Sequence, residues 1–252
     1  MIPLTPLYSR YRDSFFLFIF RLMDLMRVST SDKMTLNLSK ELTYLYHVAC
    51  LIAYKDVQEK EIAELQSWAL ALPKNIKLEE MKQMFIEKMN ELNLRAFLPK
   101  NYTYTFTTIW DTFHLMAMIV DDMIANRDKY EYNFITHHLN NFKSFYINIF
   151  IKLLCPVCAY HYLLTRGVMV VAIEKLELAL RKEHEGTPIV MVEEINRNKG
   201  LKNYLLTHYI VYTSMEFHNH INTYRYIQRN LGNINEYTPM QWNNYKKDLQ
   251  LT

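Results

Sequence analysis

Cys155-Pro156-Val157-Cys158 places two thiols three residues apart. At the start of a helix that spacing turns both sulfurs to one face, within reach of a reversible disulfide. The proline suits the first helical position, where its missing N–H is not needed, so Cys155 is expected at the cap. There the positive end of the helix favours a thiolate over a thiol. Three chemistries stay open for such a pair: redox exchange, two inert packed thiols, or half of a zinc site. Zinc is the least supported, because the only other cysteine is Cys50 and none of the nine histidines falls at a finger-like spacing. No metal is expected. A thioredoxin fold carries a similar Cys-Pro-x-Cys, but it needs a strand-helix-strand setting, and the flanks here read as helical.

Two further groups could work beside the thiols. Trp110 and His114, in Trp-Asp-Thr-Phe-His, stand at i and i+4, so an indole and an imidazole share one helix face. In Phe217-His218-Asn219-His220-Ile221-Asn222, His218 and Asn222 stack on one face, with Phe217 and Ile221 forming the adjoining apolar stripe. Polar groups buried beside such a stripe cost about 1–3 kcal/mol each when unpaired, and a ligand rich in acceptors would pair them. A solvated polar face is the competing reading of the same segment.

Taken in order, Trp-x-x-x-His, then Cys-x-x-Cys, then His-Asn-x-hydrophobic-Asn resembles the Erv/ALR family of flavin-linked sulfhydryl oxidases, and here the order runs from Trp110 to Asn222. The resemblance is strongest to the baculoviral branch, through Ile-Pro-Leu-Thr-Pro-Leu at Ile2 to Leu7 and Thr-Tyr-Thr-Phe-Thr-Thr-Ile-Trp-Asp-Thr at Thr103 to Thr112. It implies a helical bundle that holds FAD without a Rossmann motif. It further implies a homodimer, reduced protein dithiols as substrates and molecular oxygen as final acceptor. Cys155 corresponds to the cysteine that exchanges with substrate and Cys158 to the one beside the flavin. Trp110, His114, His218, Asn219 and Asn222 correspond to flavin-pocket positions. Phe106-Thr107 stand where the family commonly has Gly-Arg before the tryptophan, and Tyr226 and Ile227 stand where it has a basic residue. Thr107, Arg225, Lys246 and Lys247 are therefore the candidates for the cofactor's remaining contacts. The family's extra shuttle cysteines are missing, and Cys50, in an apolar helical stretch, reads as a small buried hydrophobe.

The elements that must position these groups are helical. Of 252 residues half are hydrophobic and 22% charged, which excludes a disordered or fibrous chain. Only four glycines occur, against the roughly 7% usual, and no Gly-rich phosphate loop is present. A net charge of +3 without a dense Lys/Arg run argues against nucleic acid. Apolar residues recur at helical spacing along most of the chain. Helices are expected over Ser39 to Tyr54, Val57 to Ala71, Leu78 to Leu92, Ile109 to Asn126, Phe134 to Leu154, Val168 to Glu183 and Leu201 to Gln228. Pro156 starts a further one, and another covers about Trp242 to Leu249. Ile189 to Val192 reads as a short strand, and Asn196 to Gly200 as a polar excursion. Leu98-Pro99-Lys100-Asn101 breaks the pattern, so residues 1–98 are expected to form an N-terminal helical subdomain and residues 99–252 the flavin-binding unit.

Phe15 to Phe20 is too short for a signal peptide or a span. Phe145 to Leu164 approaches spanning length but contains Lys152, His161 and a proline, and is expected to be a buried helical hairpin, with no membrane span. Three cysteines do not make a secreted disulfide scaffold. The expected location is the cytoplasm or nucleus of an infected cell, with virion association and no secretion. The rival reading is a non-catalytic helical scaffold or binding protein of the virion, its two thiols packed and reduced.

Overall fold

The computed structural model describes residues 2–54, 56–193, 200–229 and 238–251, the side chains of 225–229 excepted. The chain forms two compact units, one of Arg10–Thr112 and one of Met1–Ser9 with Phe113–Thr252. Helices α1 (Pro6–Val28) and α5 (Phe106–Ala125) each contribute to both.

The unit of residues 10–112 is built on α1, α2 (Asp32–Ala53), α3 (Glu59–Leu70) and α4 (Leu78–Glu91), followed by a 3-10 turn at Arg95–Phe97 and the start of α5. The apolar run Phe15 to Phe20 is the wholly buried middle of α1. Its rings set the packing: Phe20 lies 5.0 Å from Phe85 of α4, and Phe16 lies 5.7 Å from Phe97, which also meets Tyr46 of α2. Such tilted pairs add directional stability to burial. Asp111, at the second turn of α5, accepts from Arg10 Nη2 at 2.8 Å and Nε at 3.1 Å and from the Ser14 hydroxyl at 2.8 Å. Helix α2 starts earlier than periodicity indicates, because the Ser31 hydroxyl accepts the Met34 N–H and caps it. Cys50 is buried on α2 and is the free cysteine of the described residues.

The second unit holds the rest of α5, α6 (Tyr132–Ile147), α7 (Pro156–Thr165), α8 (Gly167–His184), strands β1 (Val190–Val192) and β2 (Tyr204–Leu206), α9 (Tyr209–Arg229) and α10 (Trp242–Asp248). Helix α8 packs between α6 and α9. Phe113 is the hub of this core. It stacks on Phe217 of α9 at 5.6 Å and meets the Tyr146 ring of α6 edge-on at 4.3 Å, while its carbonyl accepts the Tyr146 hydroxyl at 2.7 Å. Tyr162 of α7 extends the chain by donating its hydroxyl to the Tyr146 carbonyl at 2.6 Å. Asp121, near the end of α5, accepts the first N–H groups of α9 from Ile210 at 3.1 Å and Val211 at 2.8 Å. An acid side chain there satisfies two of the orphan donors at the start of the helix.

The mostly helical fold agrees with the sequence reading, with three local differences. Residues 201–228 are not one helix. Tyr204–Leu206 pairs in parallel with β1, Val190 opposite Tyr204, because the Asn203 amide is held by the Ala179 and Thr187 carbonyls and turns the chain alongside. The helix expected to reach Leu154 stops at Ile147 and tightens into a 3-10 turn at Ile149–Lys152. The stretch Phe145 to Leu164 is not a buried hairpin, since Leu154, Val157, Tyr160 and Leu164 are exposed on α7 and before it. No helix of the described residues is long and apolar enough to cross a membrane. Of the polar excursion expected at Asn196 to Gly200, residues 196–199 lie outside the described residues.

Two outcomes follow from burial. Burial pushes the Cys50 thiol up, so the native oxidised protein should take up no thiol label at neutral pH and one per chain in denaturant. Burial also pushes the Asp121 carboxyl up to about 7 against its two N–H donors. The folded state then keeps a proton that an unfolded Asp releases near pH ~4. Stability from this group is complete below that pH and is lost as pH rises through about 7. Denaturation midpoints measured from pH 4 to 8 should show this component, and Asp121→Asn should flatten it.

Candidate active site

Cys155 has extended backbone and is the N-cap of α7, its sulfur accepting the Cys158 N–H at 3.2 Å, with Pro156 as the first helical residue. The two cysteines form a disulfide, their Cα atoms 5.2 Å apart. Both are half-exposed. Cap and proline put the bond at the positive end of the helix, where a thiolate released from it is favoured.

The inner face of α7 meets α9 one turn after Cys158. His161 stacks on Tyr224 at 3.5 Å, and Tyr162 meets Phe217 edge-on at 5.6 Å. Burial, with His220 nearby, holds the His161 imidazole below its usual range. The disulfide is thereby anchored against the helix that carries His218, Asn219 and Asn222.

Between α5 and α9 runs a directed hydrogen-bond chain. The Ser214 hydroxyl donates to the Val211 carbonyl at 2.7 Å, so at 2.9 Å it accepts from His114 Nδ1–H. His114 Nε2 lies 3.0 Å from His218 Nδ1. Burial lowers His218 to about 3, which keeps that ring neutral. With one proton per ring, His218 Nδ1 donates to His114 Nε2.

Helix α10 covers this row. Tyr245 meets the His114 ring at 5.5 Å, and Trp242 meets Tyr212 of α9 edge-on at 5.4 Å. Asn219 ties the approach to α10 with both ends of its amide, donating to the Met240 carbonyl and accepting the Met240 N–H, each at 2.9 Å. Asn222, one turn beyond His218, is half-exposed, and its amide makes no hydrogen bond among the described residues.

The structure thus brings His114, His218 and Asn219 together, with the disulfide anchored to the same helix through α7. Trp110 is half-buried one turn before His114 on α5, and Thr107 is exposed on the first turn of that helix. Lys246 on α10 reaches Glu193 at 3.4 Å. The Arg225 side chain lies outside the described residues. Among the described residues no group of His, Cys, Asp and Glu is placed to hold a metal. Sequence reasoning missed Ser214, Tyr245 and the Met240 backbone. Ser214 was detectable, since it precedes His218 by one helical turn, whereas the other two come from a separate segment and carry no local signal.

The Baculovirus P33 family model matches residues 5–251 of the chain. A protein of Autographa californica nuclear polyhedrosis virus, named FAD-linked sulfhydryl oxidase, is 44% identical over 258 aligned positions covering all of both chains. A 33 kDa early protein of Orgyia pseudotsugata multicapsid polyhedrosis virus is 41% identical over 282 positions, again covering both chains in full.

Asn219→Ala removes two hydrogen bonds and should cost about 1–3 kcal/mol of stability. The loss should be concentrated at the approach to α10. Hydrogen exchange across residues 238–248 should accelerate in the variant while exchange in α6 and α8 stays protected.

Proposed function

The chain belongs to the Baculovirus P33 family, and from that premise we propose that it is an FAD-linked sulfhydryl oxidase that forms disulfides in reduced substrate proteins. The relative that covers the whole chain at 44% identity carries that name. The observation within this chain that carries the reading is the half-exposed Cys155–Cys158 disulfide at the cap of α7, anchored to the helix of His218 and Asn222.

The residues present fit the cofactor. A His218 ring kept neutral by burial, and an Asn222 amide that makes no hydrogen bond among the described residues, suit a planar ring that carries both donors and acceptors. Trp110, His114, His218 and Asn222 are the residues assigned to hold it, with Asn219 keeping α10 closed over the row and Thr107, Arg225 and Lys246 the candidates for its remaining contacts. Bound there, FAD supplies a two-electron acceptor for the dithiol, with molecular oxygen as final oxidant and hydrogen peroxide as product.

The chain's own part is thiol exchange. A substrate thiolate attacks Cys155 Sγ, a substrate-to-Cys155 disulfide forms, and the bond between the two cysteines breaks with its electron pair left on Cys158. The helix N-terminus stabilises that thiolate. A second substrate thiolate then attacks the substrate sulfur of the mixed disulfide and leaves as substrate disulfide, returning Cys155 as a thiolate. Two electrons reach the Cys155/Cys158 pair for each disulfide made, and two protons from the substrate pass to solvent. His161 and Tyr162 hold α7 in place on α9 while the pair opens and closes.

The active form is proposed to be a homodimer. The chain holds 19 tyrosines, 13 phenylalanines and 3 tryptophans, more aromatic surface than one core readily buries. Two of the surplus rings, Tyr130 and Phe134, are exposed and stacked on each other at 5.3 Å, with His138 against Phe134. Tyrosine and phenylalanine are enriched at such contacts. The place of action is proposed to be the cytoplasm or nucleus of the infected cell and the virion, which fits a chain whose third cysteine is a buried free thiol.

The purified protein should be yellow and consume oxygen with dithiothreitol. Cys155→Ser and Cys158→Ser each lack the disulfide that takes the substrate's two electrons, so both should lose oxygen consumption with dithiothreitol; wild-type turnover by either variant would sink the pathway. Phe134→Glu should move the sedimenting species from dimer toward monomer, and a wild type that stays monomeric across the concentration range would remove the dimer.

A further inference from the structure

The inner side of α7 is accounted for by His161 and Tyr162, but the outer side is not. Leu154 is 73% exposed, Val157 52%, Tyr160 65% and Leu164 66%. Val157, Tyr160 and Leu164 recur at i, i+3 and i+7, so they form one stripe, and Leu154 adjoins Cys155 at its head. From Leu153 to Ile173 the only formally charged residue is Arg166. Its guanidinium is turned inward, donating to the Ile147 carbonyl at 3.0 Å over the Phe150 ring. Lys152, just before the stripe, is buried and donates to the Asn148 carbonyl. Soluble proteins rarely leave so many large apolar side chains together in water unless something covers them.

We propose that this stripe is the docking surface for an extended, uncharged, apolar segment flanking the reacting cysteine of an unfolded substrate protein. The occupant follows from what the stripe contains. Its head is the sulfur that substrate must attack, so whatever lies along the stripe has to leave Cys155 open and bring a thiolate to it. A second copy of this chain laid along the whole stripe would close the disulfide. The absence of available charge selects against acidic or basic peptides, which would lose hydration without gaining a partner. Seven residues of helix span about 10 Å, the length of three or four residues of extended chain. Cysteines that pair inside folded proteins have apolar neighbours, and those neighbours are exposed only before folding. The stripe therefore favours reduced, unfolded chains over folded proteins and over small hydrophilic thiols.

This inference rests on the thiol oxidase reading, and one experiment separates the two. Oxygen consumption by the yellow protein is measured with three dithiols: dithiothreitol, a peptide whose two cysteines are flanked by leucine and valine, and the same peptide flanked by glutamate and lysine. The apolar peptide should have a kcat/KM about tenfold or more above the charged one, the effect expected of burying one aliphatic side chain. In Tyr160→Asp and Leu164→Asp the KM for the apolar peptide should rise by a similar factor. The kcat for dithiothreitol, too short to reach the stripe, the flavin absorbance and the sedimentation coefficient should be unchanged. Equal kcat/KM for the two peptides in the wild type, or an unaltered KM in both variants, overturns the docking surface while dithiothreitol turnover leaves the oxidase standing. A change from dimer to monomer in these variants assigns the stripe to a second copy and overturns the proposal as well. Failure of the wild type to oxidise dithiothreitol overturns the oxidase reading itself.

Discussion

Polar side chains of α5 hold the amino-terminal half of α9 in register, and the site depends on that tie. Asp121 takes the first two free N–H groups of α9, and two turns earlier on α5 His114 reaches Ser214 and His218. Both ties are buried and directional, so neither tolerates a shift of one helix along the other. A slip of one residue would leave a buried carboxyl group, two imidazoles and a hydroxyl without partners, each at a cost of about 1–3 kcal/mol. That cost keeps one arrangement of the helices far below its alternatives. It also fixes the proton pattern along the row, because a hydroxyl already donating to Val211 accepts only from His114.

Chemistry and architecture meet through α7. The helix is short, and its cap alone would not hold it. Tyr162 secures it by lodging its hydroxyl on Tyr146 and its ring against Phe217, and His161 by lying flat on Tyr224. The consequence is a helix whose buried side is rigid and whose first turn is open. A disulfide at such a cap is reachable from solvent, and the thiolate it releases is held at the positive end of the dipole. The same placement leaves the outer side of α7 apolar and uncovered, a cost in solubility that makes sense when the uncovered side is where substrate lies.

Some residues expected at the site serve to build it. Asn219 spends both ends of its amide on the Met240 backbone and so keeps α10 against α9. Lys246 is drawn toward Glu193 by charge. Asn222, one turn beyond His218 on the same helix, makes no hydrogen bond among the described residues.

Read by itself, the chain determined whatever depends on neighbours within a helical turn. The capped pair at Cys155 and Cys158, the proline at the first position of α7, the burial of Cys50 and the positions of most helices all follow from spacing and capping, which act over three or four residues. Where the reading went astray, a distant partner had decided: Asn203 reaching Ala179 turned an expected helix into β2, and the packing of α7 on α9 exposed a stretch expected to be buried. The pairing of His114 with His218, over a hundred residues apart, belongs to the same class. Periodicity states which side chains share a face, and says nothing of which face another element will meet. That choice is made when the whole core closes and every buried donor has to find its acceptor.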